Sequence, residues 1–261
     1  MLKKIFYKIL KPILSYFGLI LLKINSDVSA RNQGLHANIG SGSYVIDGFI
    51  SVDYYSKTYY SSEKFDRVHY DMRNDPLPFE NASLDTIYCS HVIEHVETEH
   101  VHNFFNESLR VLKPGGVLRV VCPDSEYLYE QLMNHPEYFS WHPFYESSKS
   151  GSATKCFIDE VACTKNELKN FGLSMDISKY NYEELVEELR KDMIFDETNL
   201  GQHINNWDFK RIFEIGKNVG FFSINKSRYQ GSFCSVFRGR DIDLTHPAMS
   251  LYVDLQKGTK I

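Results

Sequence analysis

Short apolar runs alternate with polar turns between residues 35 and 124, and this alternation constrains the fold more than any other feature of the chain. The runs have the length of buried strands, and the segment 97–112 carries apolar residues at helical spacing. Repeated strand–helix units of this kind predict an α/β fold with a mostly parallel sheet and helices on both faces. The predicted strands number seven and cover residues 35–39, 49–52, 66–70, 84–89, 117–122, 222–226 and 233–237.

Glycine or aspartate follows each of the first three predicted strands. Gly40 and Gly42 come after the first strand, Asp53 after the second and Asp71 after the third. Glycines let a backbone approach a ligand because they have no Cβ, and an acid at the next strand end can accept ribose hydroxyls. An ordinary turn explains each residue alone, so the prediction of a nucleoside site rests on the ordered set. Val45 stands where a dinucleotide fingerprint would have its third glycine, so we expect a nucleoside without phosphates.

A basic amphipathic pattern covers residues 1–26. Apolar residues occupy one arc of a helical wheel, and the opposite arc holds four lysines: Lys3, Lys4, Lys8 and Lys11. The pattern is typical of a helix on a membrane surface, so we expect a peripheral contact through residues 2–24. The apolar run Ile13–Leu22 is shorter than the roughly 20 residues that a spanning helix needs. A helix packed on the protein itself and a secretory signal are the alternatives.

Charge argues against a nucleic-acid partner. The chain has 29 basic and 34 acidic residues, a formal net charge of −5. Five lysines and no acid fall within residues 1–24, so the remainder carries 24 basic and 34 acidic residues, a net charge of −10. Binding to nucleic acid needs a basic patch, so we expect no such partner.

Seven motifs occur in order along the chain. They read HANIGSG at 36–42, GFISVD at 48–53, DMR at 71–73, PLPF at 76–79, SHVIEHV at 90–96, RVLKPGGVLRVVCPD at 110–124 and HPAMSLYV at 246–253. This ordered set resembles the class I S-adenosylmethionine-dependent methyltransferases, and among them the methyltransferase type 11-like branch. Members of that branch often accompany the genes of surface-glycan biosynthesis. The resemblance implies a Rossmann-like seven-stranded sheet with a helical insertion, and S-adenosylmethionine as the cofactor.

The same resemblance divides the chain and assigns site residues. Residues 27–124 would be the cofactor-binding half, 125–200 an insertion or cap that shapes the acceptor site, and 201–261 the C-terminal part of the domain. The cofactor-binding residues would be Asn38, Gly40, Ser41, Gly42, Asp53, Asp71, Met72 and Ser90. Among them, the glycines would border the methionine part, Asp53 would bind ribose, and Asp71 with Met72 would flank adenine.

Two positions depart from the branch. Asn38 stands where many relatives carry an acid that contacts the cofactor. Only the nine residues Gly40–Gly48 separate the first two strands, which leaves little room for a crossover helix. We therefore expect the first helix to be one turn or absent.

Two histidines are candidate catalytic bases. Methyl transfer from a sulfonium requires the protein to hold a nucleophile in line and to take its proton. Histidine is the usual base near neutral pH. His91 follows the fourth strand and would line the methyl-transfer face with Ser90, while His203 lies in a stretch that resembles the branch's H-x-W motif. A structural histidine is the alternative for each.

The same stretch of sequence also allows a metal site. His91, Glu94 and His95 fall at i, i+3 and i+4, so one helical face could present all three to an ion. Some ubiquinone-pathway O-methyltransferases and small-RNA 3′-terminal methyltransferases carry Glu-x-x-Glu-His here and bind a divalent ion. This chain has His91 in place of the first glutamate, and Glu94 with His95 recurs in metal-free relatives as a hydrogen-bonding pair. The sequence therefore predicts no metal.

Together these features predict a cytoplasmic S-adenosylmethionine-dependent methyltransferase that O-methylates a sugar of a glycan or a small molecule. Its basic segment would touch the inner face of the membrane. The alternatives are a non-catalytic, membrane-associated partner protein with this fold, and a metal-dependent RNA methyltransferase, which the acidic body disfavours. The sequence leaves the oligomeric state open.

Overall fold

The computed structural model describes residues 31, 33–55, 67–149, 151–162, 176–191 and 193–259. The amphipathic segment 1–26 lies outside these ranges, so the membrane contact expected there stays a prediction. Within the described ranges, no helix combines the length and the apolar character that a membrane crossing requires.

Seven strands form one sheet in the described part of the chain. They are β1 His36–Ile39, β2 Ile50–Asp53, β3 Val68–His69, β4 Leu84–Ser90, β5 Leu112–Pro123, β6 Ser223–Lys226 and β7 Ser250–Gln256. Their spatial order is β3-β2-β1-β4-β5-β7-β6. The first five strands pair in parallel, whereas β7 lies antiparallel between β5 and β6. The predicted α/β fold with a mostly parallel seven-stranded sheet is confirmed.

The last strand is not where the sequence predicts it. The expected strand at 233–237 is wrong, because Ser235–Phe237 forms a short 3-10 helix with buried apolar side chains. The seventh strand is Ser250–Gln256, and Asp254 interrupts its apolar run. Asp254 is nevertheless fully buried, because it lies 2.6 Å from Arg119 on β5. An aspartate, a residue typical of the protein surface, thus lies on a strand inside the sheet.

Five α-helices are described: α1 Thr98–Val111, α2 Ser125–Asn134, α3 Ser152–Val161, α4 Tyr182–Arg190 and α5 Phe209–Val219. The side chains of Asp124, Asn181 and Asp208 accept backbone N–H bonds at the starts of α2, α4 and α5. Gly220 ends α5 in the left-handed region, with a φ of 109°. Residues 40–49 form turns without a helix, so the expectation of a one-turn or absent first helix is confirmed.

Different elements cover the two faces of the sheet. Helices α1 and α5 pack on one face, where Phe104 and Ile212 meet the apolar residues of β1, β4, β5 and β7. On the other face, the described covering consists of the loop of Ile46 and Phe49 and the 3-10 helix Ser235–Phe237. The longest buried strand runs therefore lie in the middle of the sheet, under both coverings.

A second core lies in the region 125–200, which the sequence predicts as an insertion. Leu128 of α2, Phe157 of α3 and Leu185 of α4 are fully buried in it. The hydroxyl of Tyr182 donates to the carboxylate of Asp208 at 2.7 Å, which ties α4 to the start of α5. This cap is thereby fixed beside the sheet.

The register of the parallel strands brings their ends together. Ile39, the last residue of β1, pairs with Val52 on β2 and with Cys89 on β4. Ligands of parallel sheets bind at this carboxyl edge. The sheet gathers three predicted site residues there: Gly40, Asp53 and His91.

Candidate functional site

A cavity lies at the carboxyl edge of the sheet, and we call it the strand-end cavity. Five of its lining residues are ones that the sequence predicts for the site: Gly40, Asp53, Asp71, Met72 and His91. The other ten lining residues were not predicted: Ile39, Tyr54, Tyr70, Arg73, Val92, His95, Val96, Phe195, Leu200 and Gly201. The sequence thus locates a third of the cavity lining and misses the rest.

Gly40 forms the part of the wall that follows β1. Its φ is +68°, and a Cβ at this position would lie 2.2 Å from Cγ2 of Val92. Its N–H donates to the carbonyl of Val52 at 2.9 Å, which holds the turn against β2. Only glycine fits this turn, and its main chain therefore faces the cavity without a side chain.

Asp53 supports the same turn from the end of β2. It is buried, its Oδ2 accepts the N–H of Gly42 at 2.5 Å, and its Oδ1 accepts the N–H of Tyr54 at 2.7 Å. The carboxylate that was predicted for ribose therefore also holds the glycine turn in shape. Its contact with ribose stays a prediction.

Asp71 fixes an arginine in the opposite wall. Its carboxylate accepts the backbone N–H and two guanidinium N–H groups of Arg73, each at 3.0 Å, and the amide of Asn74 at 2.9 Å. Burial alone would raise the pKa of Asp71, but these donors outweigh burial and lower it. Its observed role is to hold Arg73, and the predicted contact with adenine stays a prediction.

Four predicted cofactor residues are not part of the cavity lining: Asn38, Ser41, Gly42 and Ser90. The amide of Asn38 donates to the carbonyl of Tyr44 at 3.3 Å, so it holds the loop after β1. The residue is buried, and so is Ser41. Asn38 thus supports the loop after β1, Gly42 belongs to the turn, and Ser90 ends β4.

The unpredicted lining residues come from two sources. Tyr54 and Arg73 directly follow the predicted Asp53 and Met72, so their position in the chain was a signal that could have found them. Phe195, Leu200 and Gly201 belong to the loop after α4, in a segment without regular periodicity. No motif marks that loop, and only the packing of the cap brings it over the cavity.

A second cavity adjoins the first, and we call it the histidine cavity. Its lining consists of His91, Glu94, His95, Asp159, Glu160, Gly201, His203, Thr245, His246 and Met249. Three of these residues also line the strand-end cavity: His91, His95 and Gly201. The two predicted catalytic histidines, His91 and His203, therefore meet in one space.

His91 is held from two sides. It has a φ of +53°, in the left-handed region that histidine adopts more readily than most residues. Its Nδ1 lies 3.1 Å from Oε1 of Glu94, and its Nε2 lies 2.9 Å from Oγ of Ser250 at the start of β7. The ring therefore has a fixed position in the wall between the two cavities.

Glu94 brings a negative charge into the histidine cavity. Burial alone would raise the pKa of its carboxyl group, but the hydrogen bond from His91 and the potentials of His91, His95 and His203 outweigh burial and hold the pKa at about 2. Burial lowers the pKa of His95, so this ring is neutral near pH 7. The rings of His95 and His203 meet edge to face at 4.9 Å. The site thus combines a buried carboxylate with imidazole lone pairs.

Sequence comparison gives one family match. Residues 37–120 match the family described as a methyltransferase domain, a range that begins in β1, ends in β5 and covers about a third of the chain. The fold itself is Rossmann-like. At the strand ends of the matched range, the strand-end cavity offers the turn of Gly40, which has no side chain, and the carboxylate of Asp53 on the adjoining strand.

Solved structures that match this fold are distant in sequence. A SAM-dependent methyltransferase from Archaeoglobus fulgidus is 13% identical with a TM-score of 0.44, over 96% of this chain and 94% of that one. A methyltransferase from Mesorhizobium loti is 14% identical with a TM-score of 0.42, over 89% and 98%. The CMeT domain structure of the citrinin polyketide synthase is 9% identical with a TM-score of 0.40 over 87% of this chain, which spans only 47% of that structure. A comparison with curated protein sequences found no match.

Proposed function

We propose that this protein transfers a methyl group from S-adenosylmethionine to an oxygen atom of a polar acceptor, a sugar of a glycan or a hydroxyl-bearing small molecule. The observation that carries this proposal is the wall of His91, His95 and Gly201 that the two cavities share. Transfer requires the reacting atoms to be held in line, about 3 to 3.5 Å apart. Two cavities with a common wall suit that requirement.

The strand-end cavity is the proposed cofactor site. The main chain of Gly40 would face the methionine part, Asp53 would accept the ribose hydroxyls, and Met72 would lie against the adenine ring. Phe195 and Leu200 from the cap would cover the bound molecule and exclude water. When bound, the cofactor supplies a methyl group that its sulfonium charge has already activated.

The histidine cavity is the proposed acceptor site. Eight of its ten lining residues have polar side chains, among them Asp159 and Glu160. An ionised carboxylate can accept hydrogen bonds but cannot donate them. Asp159 and Glu160 therefore suit a methyl acceptor that carries many hydrogen-bond donors. A sugar or another polyhydroxylated molecule has that character, and an apolar acceptor does not.

His91 is the proposed base. It lines both cavities, whereas His203 lines only the histidine cavity. As the new oxygen–carbon bond forms and the sulfur–carbon bond breaks, the hydroxyl proton would pass to an imidazole nitrogen. Positioned bases of this kind contribute roughly 10²- to 10⁴-fold to a rate.

Calorimetric titration with S-adenosylmethionine and S-adenosylhomocysteine tests the cofactor site. We expect micromolar binding by the wild-type chain and at least about tenfold weaker binding by Asp53→Asn, which loses one ribose acceptor. The asparagine oxygen can still accept the N–H of Gly42, but its amide nitrogen cannot accept the N–H of Tyr54, so thermal unfolding is measured beside binding to show that the variant is folded. Asp47→Asn, at an exposed turn position, is the matched control. Failure of the folded wild-type chain to bind either ligand would contradict the proposal.

The acceptor class needs a second experiment. The chain is incubated with cofactor carrying a labelled methyl group and with nucleotide sugars, lipid-linked glycans and hydroxylated small molecules. We expect label in an alkali-stable O-methyl ether of a polyhydroxylated acceptor. Label found only on nitrogen or carbon would contradict O-methylation while leaving the cofactor assignment intact.

A further inference from the structure

A cluster of two histidines and one glutamate lies in the wall of the histidine cavity. Candidate ligand atoms of Glu94, His95 and His203 all lie within 4.8 Å of one another. Glu94 is 1% exposed, its Oε2 has no hydrogen-bond partner among the described residues, and its Oε1 has only the ion-pair contact with Nδ1 of His91 at 3.1 Å. A buried carboxylate oxygen without a donor is costly. The position of this oxygen therefore calls for a positively charged partner.

The hydrogen bonds of the two histidines decide which ring atoms are available. Nδ1 of His95 lies 3.0 Å from the carbonyl oxygen of Gln202, and Nδ1 of His203 lies 2.6 Å from the carbonyl oxygen of Glu160. A carbonyl oxygen only accepts hydrogen bonds, so each Nδ1 carries the ring hydrogen. In the neutral ring the lone pair is then on Nε2. Histidines that bind metals are oriented in this way, by donation of the other ring N–H to a carbonyl group.

A third contact orients the carboxylate. Nδ1 of His91 lies 3.1 Å from Oε1 of Glu94, so it occupies one carboxylate oxygen and leaves Oε2 for another partner. The three side chains reach the cluster from two separate parts of the chain. Glu94 and His95 belong to the 3-10 helix Ile93–His95, and His203 follows the cap.

We propose that Glu94, His95 and His203 bind one divalent transition-metal ion of the zinc type. Two imidazole nitrogens and one carboxylate oxygen suit such an ion better than magnesium or calcium, which prefer oxygen ligands. Three protein ligands with an open fourth position are the usual set of a catalytic zinc site. The sequence predicted no metal because His91 replaces a glutamate of the metal-binding enzymes and because Glu94 with His95 recurs in metal-free relatives. His203 is too far along the chain to be linked with Glu94 by spacing.

The spacing of the candidate ligand atoms has an upper limit of 4.8 Å, which is wider than the spacing of ligands around a bound zinc ion. Zinc–nitrogen and zinc–oxygen bonds of about 2.0 to 2.2 Å place tetrahedral ligands roughly 3.4 Å apart. The upper limit of 4.8 Å on the spacing of the candidate ligand atoms exceeds this value by roughly 1.4 Å, a difference that side-chain rotations can supply.

The place of the ion gives it a role. All three ligands line the histidine cavity, and His95 also lines the strand-end cavity. The open position would face the space where the acceptor is proposed to bind, so an acceptor oxygen would be polarised beside the methyl donor. This role rests on the proposed function, whereas metal binding itself does not. His203 would then be a ligand, and His91 would remain the candidate base.

Metal titration of the full chain tests the proposal. The protein is stripped with a chelator, desalted and titrated with Zn²⁺ by calorimetry and with Co²⁺ by visible absorption. We expect one ion per chain and about 100-fold weaker binding by Glu94→Gln and by His203→Gln, since each loses one ligand. His135→Gln, whose ring is 64% exposed, is the matched control and should titrate like the wild type.

The metal titration can fail without contradicting the proposed methyl transfer, and the reverse also holds. Absence of stoichiometric binding by the wild-type chain, or equal binding by wild type and His203→Gln, would overturn the metal site. If Glu94→Gln does not fold, the metal site is tested with His203→Gln alone. An ion that binds the folded chain raises its melting temperature, so Zn²⁺ should stabilise the wild type and should stabilise His203→Gln much less. Cofactor binding is measured in separate titrations, so failure of one assignment leaves the other standing.

Discussion

The guanidinium group of Arg73 lies 3.6 Å from the centre of the Phe195 ring. Arg73 belongs to the turn after β3, and Phe195 belongs to the loop after α4, so this contact joins the strand-end edge of the sheet to the region 125–200. Asp71 holds the arginine through both guanidinium contacts at 3.0 Å. The wall of the strand-end cavity is thus completed by a residue more than a hundred positions away in sequence.

Removal of the Phe195 ring should weaken cofactor binding. Phe195→Ala loses both a cavity wall and a cation–π contact worth about 1 kcal/mol, so we expect roughly tenfold weaker binding of S-adenosylmethionine. Calorimetric titration measures the change. Phe222→Ala, at a ring that is 79% exposed, removes an equal side chain elsewhere and should leave the affinity unchanged. Equal affinities of wild type and Phe195→Ala would show that the ring does not cover the ligand.

A methyl group on Gly40 should damage the cofactor site. Gly40→Ala places a Cβ 2.2 Å from Val92 and forces alanine into a φ of +68°, a backbone strain of roughly 1 to 3 kcal/mol. We expect a lower melting temperature and loss of measurable cofactor binding. Gly258→Ala is the control, because its Cβ would meet its nearest neighbour at an ordinary 3.5 Å. A Gly40→Ala chain that binds the cofactor normally would refute the tight turn.

Stability should depend on pH through His142. Its buried ring lies 3.2 Å from Glu160 and 3.5 Å from Asp159, and although burial lowers its pKa, the two carboxylates outweigh burial and raise it to about 9. The pKa of histidine in the unfolded chain is about 6.5. Because the pKa of His142 is higher in the folded protein, its protonation stabilises the folded state fully below pH 6.5, and this stabilisation is lost as the pH rises through about 9. His142→Gln should therefore be less stable than wild type at pH 6, by on the order of 2 kcal/mol, and the gap should narrow by pH 9.5.

Denaturant unfolding across that pH range measures the gap. His135→Gln, at an exposed ring, should show no such pH-dependent difference. A gap between His142→Gln and wild type that stays constant from pH 6 to pH 9.5 would mean that the ring is not charged in the folded protein.

Replacement of His91 should separate catalysis from cofactor binding. Asparagine tolerates the left-handed backbone of this position, so His91→Asn keeps the φ of +53° at little cost. We expect turnover to fall by roughly 10²- to 10⁴-fold, with the affinity for S-adenosylmethionine nearly unchanged. Steady-state kinetics and calorimetry give the two quantities, and His135→Asn serves as the control. Unchanged turnover would move the role of base to another group.

The mostly parallel sheet and a third of the cavity lining follow from local sequence. The strand ends at Gly40, Asp53 and His91 were predictable because apolar runs and turn residues are short-range signals. Parallel pairing then brings these ends to one edge without further information. The predicted cofactor residues that support the turn from behind, such as Asn38, share these signals with the ones that line the cavity, so sequence alone could not separate the two groups.

The parts of the fold and of the site that sequence analysis missed depend on packing between residues far apart in the chain. Phe195 and Leu200 reach the cavity only because helices α2, α3 and α4 form a core of their own beside the sheet. β7 was missed because Asp254 looks like a surface residue until its pairing with Arg119 is known. The histidine cluster likewise joins His203 to Glu94 across the whole cap. Each case involves a partner that no local pattern identifies.

The buried charges around Arg119 also dictate an order of events during synthesis. Its guanidinium, fully enclosed between β5 and β7, is neutralised by Asp243 and Asp254, which lie 124 and 135 residues further along the chain. A ribosome-bound chain that has released β5 alone would have to bury an uncompensated cation in order to close its sheet. The centre of the sheet must therefore wait for these two aspartates, and the cofactor-binding half becomes secure only when both have emerged.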